Sequence, residues 1–182
     1  MTNDSKGGRI KLMMKTKTLA DLTLKFHHMG VVVADLEKAE EHYKRLGFGP
    51  FKPSHLVHTD RKVHGKPADD TVNSLRVSRL ATFGFELVSP VSGPSVQKEF
   101  LEQRGEGVNH ICFIVDDIKE AIEIMAEAGF NPVSAALNEG GGGMAYFDTD
   151  KVGGLMLELD ELPPHLSDDY YWGMCPWQAT LP

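Results

Sequence analysis

Two histidines and two glutamates are the residues of this chain best suited to chemistry. His28 lies in the run Phe26-His27-His28-Met29-Gly30-Val31-Val32-Val33, and His110 in Val108-Asn109-His110-Ile111-Cys112-Phe113-Ile114-Val115. Glu86 sits within Phe85-Glu86-Leu87-Val88, and Glu158 within Met156-Leu157-Glu158-Leu159. An ionised carboxylate among apolar strand residues is costly to bury unless it is paired or bound to a cation. Side chains alternate along a strand, so His28 and His110 can point into one shared cavity. Two imidazoles and two carboxylates form a mixed nitrogen–oxygen set for a borderline divalent metal ion: Zn, Ni, Co, Mn or Fe, with the identity open. Four protein donors on an octahedral ion leave two positions, which two adjacent oxygens of a substrate can fill. Any one of these residues alone is ordinary for a strand; all four at equivalent places in a repeat are not.

That repeat supplies the elements that must position them. The two histidine runs superpose at an offset of 82 residues, without a gap for more than twenty positions. Asp35-Leu36 falls on Asp117-Ile118, Ala39 on Ala121, and Gly47-Phe48 on Gly129-Phe130. Each unit reads as a Val- and Ile-rich strand, then an Asp at a helix N-cap. A helix follows with apolar residues at three- and four-residue steps (Leu36, Ala39, Tyr43, Leu46; Ile118, Ala121, Ile122, Met125), and it stops at a glycine suited to C′. The superposition also chooses between neighbours. His27 falls on Asn109 and His28 on His110, so His28 is the candidate ligand.

Further strands are expected over residues 74–80 and 81–89, and over 131–136, 144–148 and 154–159. Each half is then a β-α-β-β-β module of an α+β fold. The domain reading is an N-terminal extension 1–25, a first module 26–92 with an insertion 52–70, a connector 93–107, a second module 108–161, and a tail 162–182. The insertion has little periodicity and several histidines and prolines, the composition of a surface loop. A short helix is expected in the connector around 96–103.

Composition excludes several classes. The chain has 182 residues, is 41% hydrophobic and 25% charged, and carries a net charge of −7, which argues against a nucleic-acid surface; its basic residues are scattered, apart from Arg61, Lys62 and Lys66 near His64. No apolar run approaches the roughly 20 residues of a membrane span, and the N-terminus lacks a signal-peptide core. The expectation is a cytoplasmic protein with a small-molecule substrate and no nucleic-acid or membrane partner. Cys112 and Cys175 are the only cysteines, which favours reduced thiols over a bridge.

These segments resemble the vicinal-oxygen-chelate superfamily, which includes glyoxalase I, extradiol dioxygenases and methylmalonyl-CoA epimerase. The likeness is greatest to the epimerase branch. It rests on His27-His28-Met29-Gly30-Val31, Phe85-Glu86-Leu87-Val88-Ser89-Pro90, and the stretch from Phe100 through Arg104-Gly105-Glu106-Gly107 to His110-Ile111. Val115-Asp116-Asp117-Ile118, the glycines at 140–143 and Gly153-Gly154-Leu155-Met156-Leu157-Glu158-Leu159 extend it, over about 26–161 in all. The resemblance implies paired βαβββ modules forming a curved, open mixed sheet around a metal site. It implies His28, Glu86, His110 and Glu158 as the metal ligands, and a homodimer. Two features depart from the epimerase pattern. The stretch Leu75-Arg76-Val77-Ser78-Arg79-Leu80-Ala81-Thr82 lacks the second glutamate, and Phe147-Asp148-Thr149-Asp150-Lys151 stands where a His-Pro-Lys-like sequence is usual.

The function expected is that of a metal-dependent isomerase or epimerase, stabilising an enolate of an acyl-CoA of the methylmalonyl type or of a small carbonyl acid. Glu158, a ligand able to loosen, is the catalytic candidate for one proton transfer. His55, His58 and His64 of the insertion are candidates for the other, against the simpler reading of exposed loop residues. A glyoxalase I-like lyase and a non-catalytic ligand-binding protein are the alternatives, and a dioxygenase is disfavoured by the fourth ligand. Several other features admit a structural reading beside a functional one. Gly140 to Gly143 can offer N–H groups to an anion or form a turn. Arg76 and Arg79 point to opposite faces of one strand, so at most one meets a substrate. Tyr170, Tyr171, Trp172 and Trp177 can close the cavity, pack on the domain or meet another subunit.

Overall fold

The computed structural model describes residues 17–54, 58–80 and 82–164. Tyr170, Tyr171, Trp172, Cys175 and Trp177 of the tail, and His55 of the insertion, lie outside them. Among the described residues no helix is long and apolar enough to cross a membrane.

The duplication read from the sequence is present at the level of single hydrogen bonds. Strand β1 (Lys25–Val32) leads into helix α1 (Leu36–Arg45), and strand β7 (Gly107–Ile114) into α3 (Ile118–Glu127). Asp35 caps α1 by accepting from the Lys38 N–H, and Asp117 caps α3 by accepting from those of Lys119 and Glu120. Both helices end in the same paired bonds. Gly47 N–H donates to Lys44 C=O and Phe48 N–H to Tyr43 C=O; Gly129 N–H donates to Ala126 C=O and Phe130 N–H to Met125 C=O. These are Schellman stops, with the glycines at φ 91° and 90°.

The remaining elements are β2 (Lys52–Pro53), β3 (His58–Val63), β4 (Lys66–Pro67), β5 (Val72–Leu80), β6 (Phe83–Ser92), α2 (Val96–Arg104), β8 (Pro132–Asn138), β9 (Gly143–Phe147) and β10 (Met156–Glu161). Among the described residues all strands join one sheet of ten, ordered β2-β5-β6-β1-β7-β10-β9-β8-β3-β4. The antiparallel pair β1–β7 is the seam between the halves, with β6 parallel to β1 on one side and β10 parallel to β7 on the other. Register repeats across the seam as well. Glu86 lies beside Gly30, two residues after His28, and Glu158 beside Cys112, two residues after His110.

Contrary to the expectation of a surface loop, the insertion is largely strand. Its β2 pairs with β5 on the outer edge of the first half, while β3 pairs with β8 on the outer edge of the second. Between those edges stand eight strand-to-strand steps, about 38 Å if flat at about 4.8 Å each. The chain from Pro53 to His58 can span at most about 18 Å. The sheet is therefore curled, and the insertion crosses between its two ends.

The curl sorts the side chains. On the convex face α1 covers Val31, Phe85 and Leu87, and α3 covers Ala145, Phe147 and Leu159. On the concave face the hairpin β3–β4 and α2 enclose Val63, Ala68, Val96, Met144, Tyr146 and Met156. The Arg104-Gly105-Glu106-Gly107 stretch fastens the halves. Arg104 pairs with Asp150 at 2.7 Å, and Glu106 accepts the Ala34 N–H at 2.8 Å.

Candidate metal centre

Across the four central strands the concave face carries two rows. One runs Glu86, Gly30, His110, Met156; the next runs Gly84, His28, Cys112, Glu158. In each row a small residue lies beside a histidine, and the first row shows why. A Cβ built on Gly30 would fall 1.9 Å from His110 Cε1 and 2.1 Å from its Nε2. The imidazole of His110 thus lies directly over the bare backbone of Gly30.

This packing brings the four side chains named in the sequence together, each at most 5% exposed. His28 Nε2 is 3.2 Å from His110 Nε2, 3.6 Å from Glu86 Oε2 and 3.2 Å from Glu158 Oε2. His110 Nε2 is 3.5 Å from Glu86 Oε2 and 3.3 Å from Glu158 Oε2. His28, Glu86 and His110 hold their donor atoms within 4.8 Å of one another, and Glu158 Oε2 stands within 3.3 Å of both imidazoles. The donor set fits a divalent cation, and nothing in it selects which one.

The neighbours of the two histidines orient them, and this the sequence pattern did not reveal. β-Bulges shift the register of the seam at His27 on β1 and at Asn109 on β7, so each can turn toward the histidine that follows it. His110 Nδ1–H donates to Asn109 Oδ1 at 3.0 Å, and His28 Nδ1–H donates to His27 Nδ1 at 2.8 Å. Both ligand candidates thereby present Nε2 to the cluster, the arrangement that fixes tautomer and ring angle at metal sites. Burial, then His28 beside it, holds His27 down to about 2, so it stays neutral and able to accept.

Electrostatics follow from burying two acids with two bases. Burial pushes His28 down, but Glu86 and Glu158 outweigh it and lift His28 to about 9. Burial pushes Glu158 up, while His110 and His28 draw it down to about 2. A proton on His28 balances a carboxylate, and a bound cation takes that proton's place. Burial, then the charge of Glu158, raises Tyr146 and Cys112 well above their usual range and keeps them protonated. Asp160, bound by Asn138 Nδ2 at 3.0 Å, is lifted to about 7, first by burial and then by Glu158.

The other candidates sort clearly. His58 reaches the cluster, since a cavity of about 40 Å³ there is lined by His28, Glu86, Glu158, Asp160, Ser54 and His58. Burial, then Arg61, lowers His58 to about 4. His64 lies elsewhere, hydrogen-bonded to Glu99 at 3.0 Å. Arg76 is held on the convex side by Glu40 of α1 at 2.9 Å. The glycine run is structural. A Cβ on Gly142 would strike the Glu161 carbonyl oxygen at 2.1 Å, and Asp116, Asp117, Glu139 and Glu161 around it are unfavourable to an anion.

The sequence profile described as the Glyoxalase/Bleomycin resistance protein/Dioxygenase superfamily matches residues 27–147. The chain belongs to that superfamily. Mitochondrial methylmalonyl-CoA epimerase of Bos taurus is 28% identical over 141 residues, covering 75% of this chain and 74% of that protein. A hypothetical protein from Bacillus halodurans superposes with a TM-score of 0.58 at 20% identity, over 80% of this chain and 99% of its own. Methylmalonyl-CoA epimerase from Mycobacterium tuberculosis gives 0.55 at 23% identity, over 84% and 95%. Such likenesses carry the fold, and the clustered imidazoles and carboxylates mark the chain as a catalytic member of the superfamily. His28, Glu86 and His110 fall within the matched span, and Glu158 lies on β10 beyond it.

Proposed function

We propose that His28, Glu86, His110 and Glu158 are the ligands of one divalent metal ion, and that the chain is an isomerase or epimerase moving a proton next to a carbonyl. The substrate is an acyl-CoA of the methylmalonyl type or a small carbonyl acid, the former supported by the bovine relative. One observation carries the reading: in one buried cluster two imidazoles stand 3.2 Å apart, each 3.2–3.6 Å from both carboxylates. When bound, the ion supplies Lewis acidity toward the carbonyl oxygen, which makes the neighbouring C–H more acidic.

The chain's own groups handle the proton. Glu158 is ionised and accepts it on one face, while the two imidazoles at 3.2 and 3.3 Å fix its carboxylate. The opposite face lacks the glutamate of the epimerase pattern, since β5 turns Leu75, Val77 and Arg79 to the concave side, and no acid. His58, brought in by the inserted strand, takes that role as a neutral imidazole.

Metal-loaded protein in heavy water should place deuterium on the α-carbon of methylmalonyl-CoA or of a small 2-methyl carbonyl acid, and chelated protein should not. His58→Gln should keep the metal and slow exchange at least tenfold. A protein that neither retains nor takes up a divalent ion removes the ligand assignment. A loaded protein that exchanges no α-proton rejects the epimerase and leaves lyase chemistry on a thiol adduct.

A further inference from the structure

Behind the ligand cluster, between the inserted hairpin, β5 and the first turn of α2, is a second chamber of about 200 Å³. It shares His58, Leu75 and Tyr146 with the cavity at the cluster, so the two adjoin. At about 30 Å³ per water in the liquid it holds the space of about seven waters, below the roughly 300–1,000 Å³ of pockets for drug-sized ligands.

Its lining is polar and incompletely paired. Arg61 of β3 is half-buried, and burial lowers its guanidinium from the usual range. Asp69 shares the chamber but uses Oδ1 to accept the Arg61 backbone N–H at 3.1 Å. Among the described residues, no carboxylate stands within 4.0 Å of the Arg61 guanidinium, although Arg76 and Arg104 each have one. A cation withdrawn from water without a partner is unfavourable, and a planar guanidinium is shaped for a carboxylate. His58 Nδ1, in the wall common to both cavities, is buried with no hydrogen-bond partner among the described residues. Asn73 and Gln97, hydrogen-bonded to each other at 3.4 Å, complete the polar side.

Resting on the function proposed above, we infer that this chamber binds a carboxylate of the substrate, with Arg61 as its anchor. The substrate is then a compact carboxylated carbonyl compound, its carbonyl end at the four-ligand cluster and its acid end under the inserted hairpin. Both a free dicarboxylic or oxo acid and a carboxyacyl thioester, with its carrier outside, present that chemistry.

Malonate and neutral malonamide, titrated calorimetrically into metal-loaded wild type, Arg61→Gln and Arg61→Lys, test it, with metal content and melting temperature measured alongside. Wild type should bind malonate at least tenfold more tightly than malonamide. Arg61→Gln should lose at least tenfold for malonate with its metal content unchanged, and Arg61→Lys should recover part of the loss. Equal malonate binding by folded, metal-loaded Arg61→Gln and wild type overturns the inference and leaves the metal reading standing. Wild type that holds no metal overturns that reading, while its malonate preference still reports on Arg61. Should Arg61→Gln not fold, the Arg61 Nε–H resonance of the wild type decides: it shifts with malonate and not malonamide, and a resonance unmoved at saturating malonate overturns the inference. Methylmalonyl-CoA and propionyl-CoA form the second arm. An Arg61-dependent preference for the first assigns a thioester source, and binding of malonate alone assigns the free acid.

Discussion

Replacing Gly30 by alanine is the most direct test of how the ligand cluster is built. The added methyl would fall 1.9–2.1 Å from the His110 ring, whereas ordinary contact begins at 3.4 Å, so the ring must retreat by about 1.3–1.5 Å. Metal–ligand distances tolerate only about 0.2 Å. On the ligand assignment proposed above, a displacement of that size would withdraw His110 Nε2 from a bound ion and break its bond to Asn109. Loss of an orienting partner alone weakens metal binding about 10–100-fold, so loss of the ligand should cost at least about 100-fold, or about 2.7 kcal/mol. Overpacking adds about 1–3 kcal/mol of destabilisation to the metal-free protein. Competition against a chromophoric chelator gives the affinity, and circular dichroism confirms the fold. Thermal melts with and without metal give a second reading, because the metal-dependent rise should shrink in the variant. A folded Gly30→Ala protein with wild-type affinity would refute the placement of His110 as a ligand.

Three further outcomes follow from other parts of the structure. Asn109→Ala removes the acceptor for His110 Nδ1–H and should weaken metal binding about 10–100-fold with little change in fold; unchanged affinity by the same competition assay rejects the orienting role. Phe85, 1% exposed and packed among the rings of Tyr43, Phe48 and Phe51, should cost about 3–5 kcal/mol as Phe85→Ala in denaturant titration, and a loss below about 1 kcal/mol contradicts the core described. Glu40 is pushed up by burial but drawn below its usual range by Lys44 and Arg76. A depressed folded-state pKa gives stability that is present above the unfolded value and lost as pH falls through the folded one. Glu40→Gln should therefore be less stable than wild type by about 1 kcal/mol at pH 7 and equal to it in strong acid; a gap that persists at low pH contradicts the pairing.

What could be read in the sequence was what is local or repeated. The caps Asp35 and Asp117 and the stops at Gly47 and Gly129 act within one helical turn, so residue type alone announces them. His28, Glu86, His110 and Glu158 were legible because the duplication compares each with its counterpart. His27 and Asn109 escaped because their roles depend on bulges, which appear only when two distant strands are paired. The inserted strand was hidden for the same reason. Asp60, at φ 48°, opens a bulge between Thr59 and Lys62 that breaks the two-residue alternation. Its partner β8 also lies some seventy residues downstream. His58 and Arg61 were therefore among loop residues in the sequence and face a cavity in the fold.

The two outermost strands of the sheet, β2 and β4, are each two residues long, and each is a lysine followed by a proline. Proline offers no N–H to an incoming strand, and a lysine beside it opposes the close approach of another basic edge. A ten-stranded sheet would otherwise end in rows of open hydrogen-bonding groups, a template for joining one molecule to the next. Growth of this sheet from chain to chain is blocked at both rims by the same dipeptide. A strand-mediated filament would first have to peel away one of these Lys-Pro ends.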